Sequence, residues 1–232
     1  MPHAPRLMLF DLDGTLVDSN RDLIPALNRA TESEGVPPIS MQDVGHVVGQ
    51  GALKMIERAF AFNDHPLETG GETHRRVFKL FLRHYEQNVA DQTIFFPGTL
   101  AALDGLSAEG WQLAVCTNKY EKLARKLLVE LGEAHRFPVI TGGDTFDIKK
   151  PDPGHLVETA RLAGFDAGNC IMVGDSINDI AAAKAAGIPV IAVDFGYTDV
   201  PVTELDPDRV ISHFNELGAA VKDLTAAAHW GA

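Results

Sequence analysis

Asp11-Leu12-Asp13-Gly14-Thr15 stands directly after an apolar run at residues 7–10, where a buried strand would end. Ligands of open α/β sheets gather just outside the carboxyl ends of strands. Two acids two residues apart point to opposite faces of an extended chain. A turn after Asp11 would bring both into one pocket, where one carboxylate can attack while the other moves a proton. A second acidic motif, Gly174-Asp175-Ser176-Ile177-Asn178-Asp179, follows the apolar run 170–173 and opens a helix. Carboxylates placed there suit a hard divalent cation, although Asp179 could equally cap the helix. Thr117-Asn118 follows the run 113–116. A hydroxyl and backbone amides at a helix start can cradle phosphate, but Thr and Asn are also ordinary helix-start residues. Lys149-Lys150-Pro151-Asp152-Pro153 supplies a cation. Together the four motifs make a kit for moving a phosphoryl group through a carboxylate.

The rest of the composition narrows the class. The chain has 232 residues, with 20 Lys plus Arg against 32 Asp plus Glu, a formal charge of −12. No basic surplus or stripe favours nucleic acid or a membrane surface. An acid surplus opposes an anionic substrate unless a cation offsets it locally, and Mg²⁺ is the oxygen-loving, phosphate-bridging candidate. Cys116 and Cys170 lie in or beside apolar runs and read as reduced thiols of a cytoplasmic protein. The first residues show no signal-peptide pattern, and no stretch reaches 18 apolar residues.

The elements that must position these motifs are legible as short all-apolar runs at 7–10, 113–116, 137–140, 170–173 and 190–193, the mark of parallel strands covered on both faces. Helical stripes alternate with them at 121–131, 155–163 and 180–186. This predicts an α/β, doubly wound parallel sheet. Residues 16–95 break the rhythm with amphipathic segments at 22–34, 52–62 and 72–88, and Gly70-Gly71 reads as a turn between two of them. The expectation is a core of residues 1–15 and 96–232 with a helical cap, 16–95, inserted after the first strand.

The motifs DLDGT, VCTN, KKP and GDSIND, in that order from Asp11 to Asp179, resemble those of the haloacid dehalogenase superfamily, whose fold is a Rossmann-like core with such a cap. Within it, DLDGTLVDS, Val48-Gly49-Gln50-Gly51-Ala52, Phe96-Pro97-Gly98, Gly142-Gly143-Asp144 and the lysine–proline and GDS segments resemble the phosphoglycolate phosphatases. The resemblance implies Asp11 as nucleophile and metal ligand. Asp13 would be the general acid and base, also binding Mg²⁺ through its carbonyl. Thr117 and Asn118 would hold phosphate oxygens, and Lys150 would neutralise charge, since the family's lysine directly precedes the proline. Asp175 would bind the metal and Asp179 would support it. The expected activity is Mg²⁺-dependent hydrolysis of a small phosphate monoester, 2-phosphoglycolate first, by a monomer or homodimer. Pyrophosphate and sugar or amino-sugar-acid phosphates are the alternatives, with a phosphomutase or an idle binding protein behind them. Gly49-Gln50-Gly51 is either a candidate substrate loop, because glycines permit close approach and Gln50 can hydrogen-bond a carboxylate or hydroxyl, or a turn between cap helices. Arg83 and His84 are weaker cap candidates, which a solvated helix face explains equally well.

Overall fold

The computed structural model describes residues 6–48, 51–198 and 200–227. Its elements run β1 (Arg6–Phe10), β2 (Val17–Asp18), α1 (Asn20–Glu32), α2 (Ala52–Phe62), α3 (Glu72–Gln87), β3 (Ile94–Phe95), α4 (Thr99–Ala108), β4 (Trp111–Cys116) and α5 (Glu121–Glu130). They continue β5 (Val139–Thr141), α6 (Gly154–Leu162), β6 (Cys170–Gly174), α7 (Ile177–Ala186), β7 (Val190–Val193), β8 (Arg209–Ile211) and α8 (Leu217–Ala227). Six strands form one parallel sheet in the order β5-β4-β1-β6-β7-β8. This is the doubly wound α/β fold expected from the run of apolar strands and helices.

The central strands are buried on both faces, so every side chain of residues 7–10 is apolar and fully covered. One apolar cluster occupies one face of the sheet and continues into the helices between β2 and β3; a second fills the other face. β1 lies between β4 and β6, and Phe10 is level with both Val115 and Val173. The residues following all three strands therefore emerge side by side at one edge. That register is what gathers Asp11, Thr117 and Asp175.

β5 starts two residues later than its apolar run suggests. Pro138 has no N–H to give a ladder, and Phe137 instead turns into the core against Phe10, ring centroids 6.5 Å apart. The short β8 and the helices α4 and α8 complete the core beyond what periodicity revealed.

The chain leaves the sheet through β2 and returns through β3, which pair antiparallel. Buried Asp22 of α1 fastens the return: its carboxylate accepts from the Gln92 N–H, the Thr93 N–H and the Thr93 hydroxyl at 2.7–3.1 Å. Asp22→Ala would take the acceptor from both N–H groups and leave the Thr93 hydroxyl only the Val89 carbonyl at 3.4 Å, so a stability loss of about 3 kcal/mol is expected. Urea denaturation checks this, and a loss under 1 kcal/mol would show that water or a shifted loop replaces the carboxylate.

Candidate active site

Asp11 is the first residue past β1, with its N–H donating to the Val173 carbonyl at 2.9 Å. Its Oδ1 accepts from the Leu12 N–H at 2.7 Å and lies 3.1 Å from Lys150 Nζ. Burial raises its pKa to about 6, against the pull of Lys150 and hydrogen bonds from Thr117 and Leu12. Lys150 is the buried cation of the lysine pair, while Lys149 is exposed. The Lys150 ammonium donates to Asp179 Oδ1 and to the Cys116 carbonyl, both at 2.6 Å. Burial alone would lower its pKa, but Asp11 and Asp179 outweigh that and hold it charged.

Asp175 follows β6. It accepts from the Thr15 hydroxyl at 3.1 Å and the Tyr197 N–H at 2.6 Å. Burial, then the charges of Asp179 and Asp11, push its pKa well above the usual carboxylate range. Asp179 stands in the first turn of α7, where its Oδ2 accepts from the Ser176 N–H and hydroxyl. It therefore serves the helix start from inside the first turn, with Ser176 as the cap. Ligand oxygens of Asp11, Asp175 and Asp179 lie within 4.8 Å of one another. Three carboxylates against one ammonium leave two negative charges uncompensated, the charge of one divalent cation. The donor set is all oxygen, as a hard cation requires. Backbone walls this group closely: a Cβ at Gly14 or Gly196 would overlap Asp175, and one at Gly174 would overlap Asp179.

Asp13 is not part of the carboxylate group. Its two oxygens each lie 2.9 Å from Lys119 Nζ, and Oδ1 also accepts from the Ser19 hydroxyl at 2.7 Å. Thr117 is buried after β4, and the Lys119 N–H donates to its hydroxyl at 3.2 Å. The Asn118 amide Nδ2 donates to the Lys150 carbonyl at 2.8 Å, tying two site loops together. Asp11, Asp13, Thr117, Asn118, Lys149, Lys150 and Asp175 line one cavity of about 240 Å³, roofed by α1, α2 and α3 through Leu23, Met55 and Phe81 among others. Gly51 also lines it, whereas Gly49 and Gln50 lie outside the described residues. Arg83 and His84 are not in its lining.

The match to a family model for haloacid dehalogenase-like hydrolases spans residues 8–193. The chain belongs to that family. Curated relatives include a phosphoglycolate phosphatase of Mesorhizobium japonicum, 45% identical over 96% of this chain and 98% of its own, and one of Agrobacterium fabrum, 47% identical over 95% and 93%. The crystal structure of a predicted phosphoglycolate phosphatase from Haemophilus somnus 129pt superposes with a TM-score of 0.85 at 30% identity, covering 94% of this chain and 98% of that one.

In this haloacid dehalogenase-like hydrolase four site residues, Lys119, Tyr85, Ser19 and Tyr197, lie outside the four motifs. Lys119 directly follows Thr117-Asn118 but reads as an ordinary helix-start lysine until Tyr85, 34 residues away, is placed beside it. Ser19 holds Asp13. Tyr197 joins Asp175 to the start of α1, donating its hydroxyl to Asp18 at 2.7 Å and accepting from the Asn20 N–H at 3.2 Å.

Behind the site lies buried His155 of α6, with neither ring nitrogen hydrogen-bonded among the described residues. Burial and the Lys150 charge lower its pKa to about 4, with Asp179 opposing. Between pH 6.5 and 4 the unfolded chain then binds a proton that the folded chain refuses, so this group's stabilisation is complete above pH 6.5 and fades toward pH 4. His155→Leu should shrink the stability difference between pH 7 and pH 4.5 by about 2 kcal/mol. Denaturant melts at both pH values read this directly, and an unchanged difference would mean that His155 titrates normally.

The thiols of Cys116 and Cys170 are free and buried, and burial pushes them up to about 11 and about 12. No described helix is long and apolar enough to cross a membrane.

Proposed function

We propose that this chain is a Mg²⁺-dependent phosphatase that hydrolyses a small phosphate monoester, 2-phosphoglycolate foremost, through an aspartyl-phosphate on Asp11. The observation that carries this reading is the placement of Asp11 and Asp13 in one small cavity, the first braced by Lys150 and the second held apart from the acidic group by Lys119 and Ser19. In the first half-reaction an Asp11 oxygen attacks phosphorus. The bond to the leaving oxygen breaks, and that oxygen takes a proton from Asp13. In the second, Asp13 takes a proton from water, whose oxygen attacks phosphorus and releases the Asp11 carboxylate and inorganic phosphate. Thr117 and the Asn118 N–H hold the phosphoryl oxygens, and Lys150 screens the approach of two anions. Mg²⁺ would be held by Asp11, Asp175 and the Asp13 carbonyl with Asp179 supporting, and would supply charge neutralisation on the phosphoryl group.

A cavity of about 240 Å³ is smaller than the usual pocket for a drug-sized ligand, about 300–1,000 Å³, and fits a leaving group of a few atoms. The curated relatives' name points to the same ester. In this reading residues 16–95 form a cap over a core of 1–15 and 96–232, and the enzyme works in the cytoplasm as a monomer or homodimer.

The test is phosphate release with Mg²⁺, compared by kcat/KM across 2-phosphoglycolate, pyrophosphate, sugar phosphates and amino-sugar-acid phosphates. EDTA should abolish turnover and Mg²⁺ restore it. If another ester exceeds 2-phosphoglycolate tenfold, about 1.4 kcal/mol of transition-state preference, the substrate assignment falls.

A further inference from the structure

We propose that Lys119 and Tyr85 together form a seat for a carboxylate carried on the leaving group, so that the site selects phosphate esters of small acids over those of neutral alcohols. This rests on the phosphatase reading above and adds the half of the substrate that is not phosphate.

Lys119 comes from the loop after β4 and Tyr85 from α3, and they meet across the cavity. The ammonium lies 2.7 Å from the Tyr85 oxygen and 4.3 Å from the centre of its ring. The Lys119 side chain is only 5% exposed and Tyr85 only 1%. A buried cation is retained where it has an anion to meet. Lys119 has one in Asp13, and that contact fixes its place relative to the chemistry. A leaving group that receives its proton from Asp13 is thereby delivered to Lys119, which touches both Asp13 oxygens.

Tyr85 supplies the second point. Its oxygen accepts from Lys119, but its own O–H has no acceptor among the described residues. Burial raises its pKa well above the ordinary phenol value, so it stays a donor. The ammonium and the phenol oxygen sit 2.7 Å apart, so one carboxylate can meet both, sharing the ammonium with Asp13, whereas a neutral hydroxyl engages one of them. Leu23, Met55 and Phe81 line the same cavity, and apolar walls strengthen a charge-assisted hydrogen bond. The other cations lining the cavity are placed for different work. Lys150 is held by Asp11, Asp179 and the Cys116 carbonyl, and Lys149 is exposed.

The experiment compares 2-phosphoglycolate with 2-hydroxyethyl phosphate, which replaces the carboxylate by a hydroxymethyl group, using wild type, Lys119→Met and Tyr85→Phe with Mg²⁺. Wild type should favour the acid ester. Lys119→Met should cut the ratio of the two kcat/KM values about 50-fold and Tyr85→Phe about fivefold, chiefly by raising KM for the acid ester. Inhibition by glycolate should weaken in parallel. A role confined to holding Asp13 would instead lower kcat for both esters alike. An unchanged ratio in both variants overturns the seat while leaving the phosphatase intact. If Lys119→Met does not fold, Tyr85→Phe, which keeps the ring, decides alone. A wild type that does not prefer the acid ester overturns the substrate reading itself, and the seat with it.

Discussion

Asp11→Asn is expected to lose turnover by on the order of 10⁴-fold or more while the protein stays folded. The substitution keeps the shape of the side chain and removes only the nucleophilic charge, and loss of a nucleophile is rarely compensated by its partners. Its stability should move the other way. The folded protein raises the Asp11 pKa from 3.8 to about 6, so at pH 7.5 the ionised carboxylate opposes folding, and this cost is complete above pH 6 and disappears toward pH 4. Without metal, the variant should therefore melt no lower than wild type at pH 7.5, a local case of activity bought with stability. Steady-state assays and thermal melts in EDTA measure both sides. Activity within tenfold of wild type would remove Asp11 as the nucleophile.

Lys150→Met should be the most destabilising single change at the site. Lys150 is 1% exposed and stands between Asp11 and Asp179, so its removal strands buried carboxylates without a counter-charge. Breaking a buried pair in this way costs about 3–5 kcal/mol. The loss should be largest near pH 7.5 and recede toward pH 5, because Asp11 and Asp175, already raised, would take up protons and relieve the repulsion. Turnover should fall at least about 10³-fold, since preorganised charge stabilisation at a phosphoryl centre is lost. Chemical denaturation at the two pH values, with and without Mg²⁺, reads the effect. A stability loss independent of pH would show that Lys150 contributes packing rather than charge.

The sheet was legible because its strands are buried on both faces and so appear as uninterrupted apolar runs. Residues 190–193 coincide with β7, and the motif positions after the first, 113–116 and 170–173 runs emerge at one edge because of the shared level of Phe10, Val115 and Val173. What was not legible has specific causes. β8, Arg209–Ile211, is a three-residue strand beginning with a charge, and β2 and β3 have two residues each, too short for any period to show. Spacing alone does not choose between Lys149 and Lys150; the resemblance favours Lys150, and in the fold Lys150 is buried while Lys149 is exposed. Lys119, Tyr85 and Tyr197 stayed hidden because each draws its role from a partner distant in the chain, and nothing local distinguishes them from surface lysine or core aromatic. Asp22 likewise reads as a first-turn helix acid until the return strand brings Gln92 and Thr93 to it.

The acidic group is enclosed by main chain at Gly14, Gly174 and Gly196, where no Cβ has room. In a saturation mutagenesis experiment these three positions, which carry no functional group, should score as intolerant as the acids they touch, with alanine as damaging as larger residues. Directed evolution toward new substrates is thereby steered outward: the floor of the site is closed to side-chain variation, and the open positions are those of the roof, on α1, α2 and α3.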